Sequence, residues 1–559
     1  MPRTSFLTIV CLVLLLAPPL HAADLFVRNV NGYTLGSDGR LQRFAALLDD
    51  NGRVVGTGSL AQLAARAGSA RVVDGSGRTL LPGLIDAHGH VMELGFARGQ
   101  VDLAGSESLA VALALVKAHA ASNPEAAWIR GGGWNQAIWK LGRFPTASEL
   151  DAASGDRPAW LERVDGHAGW ANSAAMRLAG IDKTTADPSG GRIERDAQGD
   201  PSGVFVDAAM SLVTRRIPQP TAEEATRALE AALQVMASVG LTGVGDAGIG
   251  ASTATLYRRF ADERRLTVRI YAMIGGTDQD FDALSASGPL IGYGNGFLDI
   301  RAVKLYADGA LGSRGAALLA PYSDDPKNSG LLFQPLEELT AKIAKALAKG
   351  YQVCVHAIGD RANREVLDGF AAAYRTVGGE KLRNRIEHAQ VVAPEDIPRF
   401  ASEHLIASMQ PTHATSDMNM AEDRIGARRL QGAYAWRTFL AQGTLIAGGS
   451  DFPVESPNPF FGLHAAVTRE DHADRPAGGW RPQQRMTLIE AFRAFTLDAA
   501  YAEHHEATLG SLAPGKWADF ILLDRDIFAG DPKELWKTRV LQTWVGGKQV
   551  YAAANGADK

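Results

Sequence analysis

A chain of 559 residues with 46% hydrophobic content can bury a large core and exceeds the usual size of one domain. Its 57 basic and 62 acidic residues leave a formal charge of -5, with no positive surplus to hold a phosphate backbone or an anionic membrane surface. Nucleic acid is therefore not an expected partner, and the apolar content excludes a disordered chain.

The start, Met1-Pro-Arg3, followed by the apolar run Phe6 to Ala17, has the size and basic flank of a secretory signal. It is too short for a comfortable membrane span. Pro18 and Pro19 break the run, and Ala22 and Ala23 offer small-residue cleavage points, so residues 1–23 read as a signal peptide. The expected mature protein is exported, periplasmic or secreted, and carries no membrane anchor. Cys11 leaves with the signal and only Cys354 remains, which excludes an intramolecular disulfide. Flanked by Val353 and Val355, Cys354 reads as a packed core thiol.

Short β-type runs fill residues 24–80, and the same texture returns in residues 506–559, so both ends of the chain are expected to meet in one β-sandwich-like domain. Between them, over 81–505, apolar runs alternate with helical stretches, the pattern of an α/β protein with a parallel sheet. Eight strand candidates stand out: one ending near Asp86, then Leu241–Asp246, Thr267–Met273, Ile300–Tyr306, Gln352–His356, Arg385–His388, Leu405–Gln410 and Thr444–Asp451. Eight strands close a (β/α)8 barrel of the TIM type. The gap after the first strand, about 95–219, is too long for one crossover and contains strand-like runs of its own. It reads as a subdomain inserted on the face where barrel loops build the active site, and as a candidate lid.

The chemistry concentrates at strand ends. In Leu81-Leu-Pro-Gly-Leu-Ile-Asp-Ala-His88-Gly-His90 two imidazoles one residue apart on an extended stretch point to the same side and can grip one divalent metal. His356, His388 and Asp451 each follow a short apolar run and supply further lone pairs. One isolated histidine is more often a buried, hydrogen-bonded core residue; five metal-binding side chains at successive strand ends reverse that reading. Lys304 ends the fourth candidate strand, yet an ammonium group has no lone pair, and on physical grounds alone a surface or ion-paired lysine stands beside a functional one.

The ordered set resembles the amidohydrolase superfamily of metal-dependent hydrolases, and finer motifs are similar to its YtcJ-like branch, which includes N-substituted formamide deformylases. These motifs are Pro82 to His90, Lys304 to Arg314, Val355-His-Ala-Ile-Gly-Asp-Arg361, Arg385-Ile-Glu-His-Ala-Gln390 and Gly449-Ser-Asp-Phe-Pro453. Three more lie in the insert: Gly132-Gly-Trp134-Asn135, Arg163-Val-Asp-Gly-His167 and Asp200-Pro-Ser-Gly203. The resemblance implies one or two divalent ions, zinc by ligand type. It assigns His88 and His90 to a first ion, His356 and His388 to a second, and Lys304 to both as a carbamate. It implies hydrolysis of a non-peptide C–N bond, in an amide or N-acyl amine, by metal-activated hydroxide with Asp451 as ligand and general base.

Trp134, Trp170 and His167 are candidate substrate contacts, with ordinary packing of the insert as the alternative. Arg314 and Arg361 read either as carboxylate clamps or as salt-bridge residues, and His413 as a substrate contact or a loop support. No role is assigned to Asp207. Gly131 to Gly133 have no Lys-Ser or Lys-Thr pair after them, which disfavours a nucleotide site. The expected partner is a small-molecule substrate. The same metals could serve another acyl or carbamoyl hydrolysis or an isomerisation, and a non-catalytic binder is the remaining class. Barrels of this size commonly pair, which makes a homodimer the assembly to test.

Overall fold

The computed structural model describes residues 23–554, so the signal-peptide reading, Ala23 apart, lies outside the described residues. Among the described residues no helix is long and apolar enough to cross a membrane.

Eight parallel strands form the body: β1 Leu84–Gly89, β2 Leu241–Ile249, β3 Arg269–Gly275, β4 Leu298–Tyr306, β5 Gln352–Ala357, β6 Arg385–His388, β7 Ile406–Met409 and β8 Ile446–Gly448. They hydrogen-bond in chain order from β1 to β8. Side chains along them alternate between two environments, as the period of two requires. Tyr271, Met273, Ala302 and Cys354 share one small cluster, while their neighbours Ile270, Ala272, Val303, Val353 and Val355 join the large core beneath the helices. The first set fills the barrel and the second seats the helical coat.

Between β1 and β8 the closure runs through the segments that follow them. The Asp451 N–H donates to the His88 carbonyl at 2.7 Å, and the His90 N–H donates to the Phe452 carbonyl at 2.8 Å. Asp86 ties the same seam, accepting from the backbone N–H groups of His88 and Ser450 and from the Ser450 hydroxyl. The last strand is shorter than its apolar run predicts. Gly449 and Ser450 leave the ladder, and Asp451 takes a positive φ of 62°.

The chain ends share one sheet of eight strands, in which Phe520–Leu523 pairs with Thr79–Pro82 and Val540–Val545 lies beyond it. Leu25, Val27, Phe520, Leu522 and Trp544, drawn from both ends, meet in one core. The alternate residues Leu81, Ile521 and Leu523 join the core of the barrel, so this sheet is clamped to the barrel by its second face.

The insert folds around its own six-stranded sheet, ordered Gly191–Arg195, Pro201–Asp207, Ala168–Ala171, Ala159–Arg163, Ile129–Trp134 and Val101–Asp102. Alternation again separates two cores: Leu161, Val204 and Val206 face one side, Trp160 and Phe205 the other. The chain returns to the barrel through the helix Ala222–Ser238. Its first turn is fixed by a capping box, in which the Thr221 hydroxyl accepts from the Glu224 N–H and the Glu224 carboxylate accepts from the Thr221 N–H. Leu229, Leu233 and Met236 recur at helical spacing and give that helix its buried face.

Candidate metal centre

Donor atoms of His88, His388 and Asp451, from segments up to 363 positions apart in the sequence, lie within 4.8 Å of one another at the C-terminal end of the barrel. All three side chains are buried. The neighbours of each ring decide which nitrogen faces inward. His88 Nδ1 lies 2.5 Å from Glu387 Oε2, and His388 Nδ1 lies 2.9 Å from Gln410 Oε1. A carboxylate or amide oxygen can only accept, so both rings carry their proton on Nδ1 and turn an Nε2 lone pair into the centre. That is the arrangement by which outer partners orient metal-binding histidines.

Asp451 Oδ1 sits 3.0 Å from His90 Nε2 and 3.4 Å from His88 Nε2. Lys304 Nζ lies 3.2 Å from His88 Nε2 and 4.7 Å from the centre of the Tyr306 ring. It is 1% exposed, and among the described residues no carboxylate lies within salt-bridge distance of it. The His356 ring packs 4.6 Å from that of His388. Burial, joined by the charges of neighbouring groups, holds His356 and His388 well below the usual imidazole range, which keeps both lone pairs free. Burial works against ionising Asp451, but its contacts with the His88 and His90 imidazoles outweigh this and hold the carboxyl well below its ordinary range.

Four imidazoles, a carboxylate and a counterion-free lysine converging in one buried place fit a divalent cation in number and type of donor. They are a poor fit to a packing role, because so many converging lone pairs have too few protons to share. The residues that would hold the ion are His88, His90, His356, His388 and Asp451.

Other residues complete the site and carried no assignment from the sequence. Glu387 receives His88 on one oxygen and Arg385 on the other, at 2.7 Å. Burial opposes its ionisation, and the charge of Arg385 with the hydrogen bond from His88 overcomes it, so its carboxyl lies far below the usual range. Charged residues at alternate positions of an apolar strand were the available signal, since only a polar barrel interior accommodates both. Asp308, inside the Lys304 to Arg314 motif, accepts from the N–H groups of Ala317, Ile358 and Gly359 and places Oδ1 3.5 Å from His356 Nε2. Burial pushes its carboxyl up to about 7.

The secondary candidates divide. His413 lies at the centre, its ring stacked 5.9 Å from His388 and its Nε2 3.7 Å from Asp451 Oδ2. His167 also arrives there, with its ring 5.2 Å from that of His356. Trp134 does not. It is fully buried inside the insert among Trp139, Phe144 and Trp170, and its indole N–H donates to the Leu161 carbonyl at 2.7 Å, so it is a core residue where a substrate contact was expected. Trp170 belongs to the same core. Arg314 pairs with Asp324 at 3.0 Å, and Arg361 with Glu365 at 3.0 Å, which commits both guanidinium groups to salt bridges. A small pocket beside the centre is walled by His388, Gln390, Gln410, His413, Tyr434 and Trp436.

A parallel eight-stranded barrel with a histidine–carboxylate centre at its C-terminal end defines a metal-dependent hydrolase. The sequence pattern of the amidohydrolase family matches residues 71–551, and the chain belongs to that family. It is similar to Protein LONG AFTER FAR-RED 3 of Arabidopsis thaliana, 35% identical over 96% of this chain and 93% of that one. Identity is 33% with the putative amidohydrolase YtcJ of Bacillus subtilis, covering 93% and 98% of the two chains. It is 30% with the N-substituted formamide deformylase of Arthrobacter pascens, covering 94% and 98%. Among solved structures, an uncharacterized metal-dependent hydrolase from Pyrococcus horikoshii superposes with a TM-score of 0.73 at 26% identity, over 91% of this chain and 99% of that one.

Proposed function

We propose that the protein hydrolyses the C–N bond of an N-acyl or N-formyl amine, with Asp451 as general base. The observation that carries this reading is the position of Asp451, whose Oδ1 lies within 3.4 Å of both first-strand histidines while Oδ2 faces His413. A bound divalent ion, zinc by ligand type, supplies Lewis acidity that makes water nucleophilic near neutral pH and polarises a carbonyl. Asp451 takes the proton of the attacking water and returns it to the departing nitrogen, leaving a carboxylate and an amine. His88 and His388 are kept in the required tautomer by Glu387 and Gln410.

Carboxylated on Nζ by carbon dioxide, Lys304 would supply oxygen ligands to the metal centre. Its burial without a carboxylate partner supports this, because an unpaired buried ammonium is costly and carboxylation converts it into an oxygen ligand. The similarity to an N-substituted formamide deformylase over 94% of the chain supports the bond type. The basic, apolar start of the sequence supports export to the periplasm or beyond, and a homodimer is the proposed assembly.

A panel of N-formyl and N-acyl amines, assayed with metal-loaded protein, tests the activity. Metal-dependent amine release that disappears in Asp451→Asn is expected. Full metal loading with no amine released from any member would overturn the proposal.

A further inference from the structure

The imidazoles of the centre pack one against the next. Ring centres are 5.5 Å apart from His90 to His88, 4.9 Å from His88 to His388, 4.6 Å from His388 to His356, and 5.2 Å from His356 to His167. The first four belong to the barrel and the fifth to the insert. Asp451 Oδ1 lies beside His90 and His88, whereas His167 joins the series at its other end, beyond His356.

His167 is held by Asp207, whose Oδ1 lies 2.7 Å from Nδ1 and whose side chain is fully buried. The two residues are neighbours across a strand pair, with the Asp207 N–H donating to the His167 carbonyl at 3.0 Å. Asp207 adopts a φ of 50°, a conformation that costs a non-glycine residue energy and is kept where the surroundings require it. Those surroundings are the loop after β4. A Cβ on Gly309 would stand 2.8 Å from both Asp207 carboxylate oxygens, and one on Gly315 would stand 2.6 Å from Oδ2. Two glycines of the Lys304 to Arg314 region and its border therefore make the room into which the insert's carboxylate fits.

Because the carboxylate accepts from Nδ1–H, the polar atom left on the ring is Nε2, which has no hydrogen-bond partner among the described residues. The side chain keeps 16% of its exposure. With that nitrogen unpartnered and its ring packed against His356, His167 can offer Nε2 to a ligand at the centre.

We propose that His167, ion-paired with the Asp207 carboxylate, donates its Nε2–H to the substrate's acyl oxygen, and that Asp207 is its positioning residue. The insert would then take part in the reaction through this pair. The assignment rests on the hydrolytic reading above: a substrate whose nitrogen departs beside Asp451 turns its acyl side towards His167. The product carboxylate carries the same acyl oxygen, so acetate serves as a probe that needs no turnover.

The test uses the metal-loaded full chain with His167→Gln, Asp207→Asn, the double variant and Asp207→Glu. Metal content, thermal midpoint, kcat, KM and the acetate dissociation constant by titration calorimetry are measured. His167→Gln is expected to keep its metal and midpoint, to lose roughly 10- to 100-fold in kcat/KM, and to bind acetate about three- to tenfold more weakly. The double variant should be no worse than His167→Gln alone, and Asp207→Glu should recover part of what Asp207→Asn loses. Wild-type kinetics in His167→Gln, multiplying losses in the double variant, or losses that track metal content would overturn the assignment. If the wild type holds metal but cleaves no amide, the hydrolytic reading fails separately. Unchanged acetate affinity in His167→Gln would then still reject the contact.

Discussion

The barrel and the insert contribute to the centre in opposite ways. In the barrel, residues up to 363 positions apart are brought together because parallel strands all end at the same face, and each donor is set by the strand that carries it. In the insert, a separate six-stranded sheet with two cores of its own reaches the centre through one imidazole, His167, steered by a carboxylate on the neighbouring strand. On the proposed reading, metal binding would rest on the barrel, while contact with the substrate would depend on how the insert docks. A change in the first region should abolish the reaction together with the metal, and a change in the second should alter the reaction and spare the metal.

The largest effects are expected in the barrel. Asp451→Asn should lower kcat by about 10²- to 10⁴-fold, as removal of a general base does. Lys304→Ala should lose the second ion as well, which elemental analysis of the purified variant would reveal. Normal metal content in Lys304→Ala would refute the ligand role.

A comparable loss of stability, confined to the other region, is expected from Trp134→Ala. Emptying so large a buried site costs about 3–5 kcal/mol. Hydrogen exchange should show protection falling across the strands between residues 101 and 207 while β1 to β8 keep theirs. Uniform loss of protection in both regions would mean that insert and barrel do not behave as distinct units.

Glu387→Gln should be milder. The ring of His88 loses its charged partner, and metal affinity should weaken by about 10- to 100-fold in chelator competition, with the insert unaffected. Arg314→Ala should matter least. Its pair with Asp324 is partly exposed, so less than about 1 kcal/mol and little activity are at stake.

The same contrast explains what could be read from the sequence. The eight barrel strands are legible because each apolar run is local, and the donors are legible because they terminate those runs. Boundaries shift where backbone geometry intervenes, as at β8, which ends at Gly448 so that Asp451 can turn back to His88. Glu387 is visible in its strand, but its partner His88 lies 299 positions away. In the insert the relevant contacts come from strand pairing that no local pattern encodes. Asp207 stands 40 positions from His167 and received no role, and Trp134 looked like a pocket wall because an aromatic residue in a glycine-rich motif suits either a cavity or a core.

Metal analysis of the purified full-length protein, before and after chelation, bears most directly on the barrel centre. At least one divalent ion per chain, with hydrolysis lost on chelation and regained on adding zinc, is the predicted result. Less than one ion per chain, with no activity restored by added metal, would contradict the account.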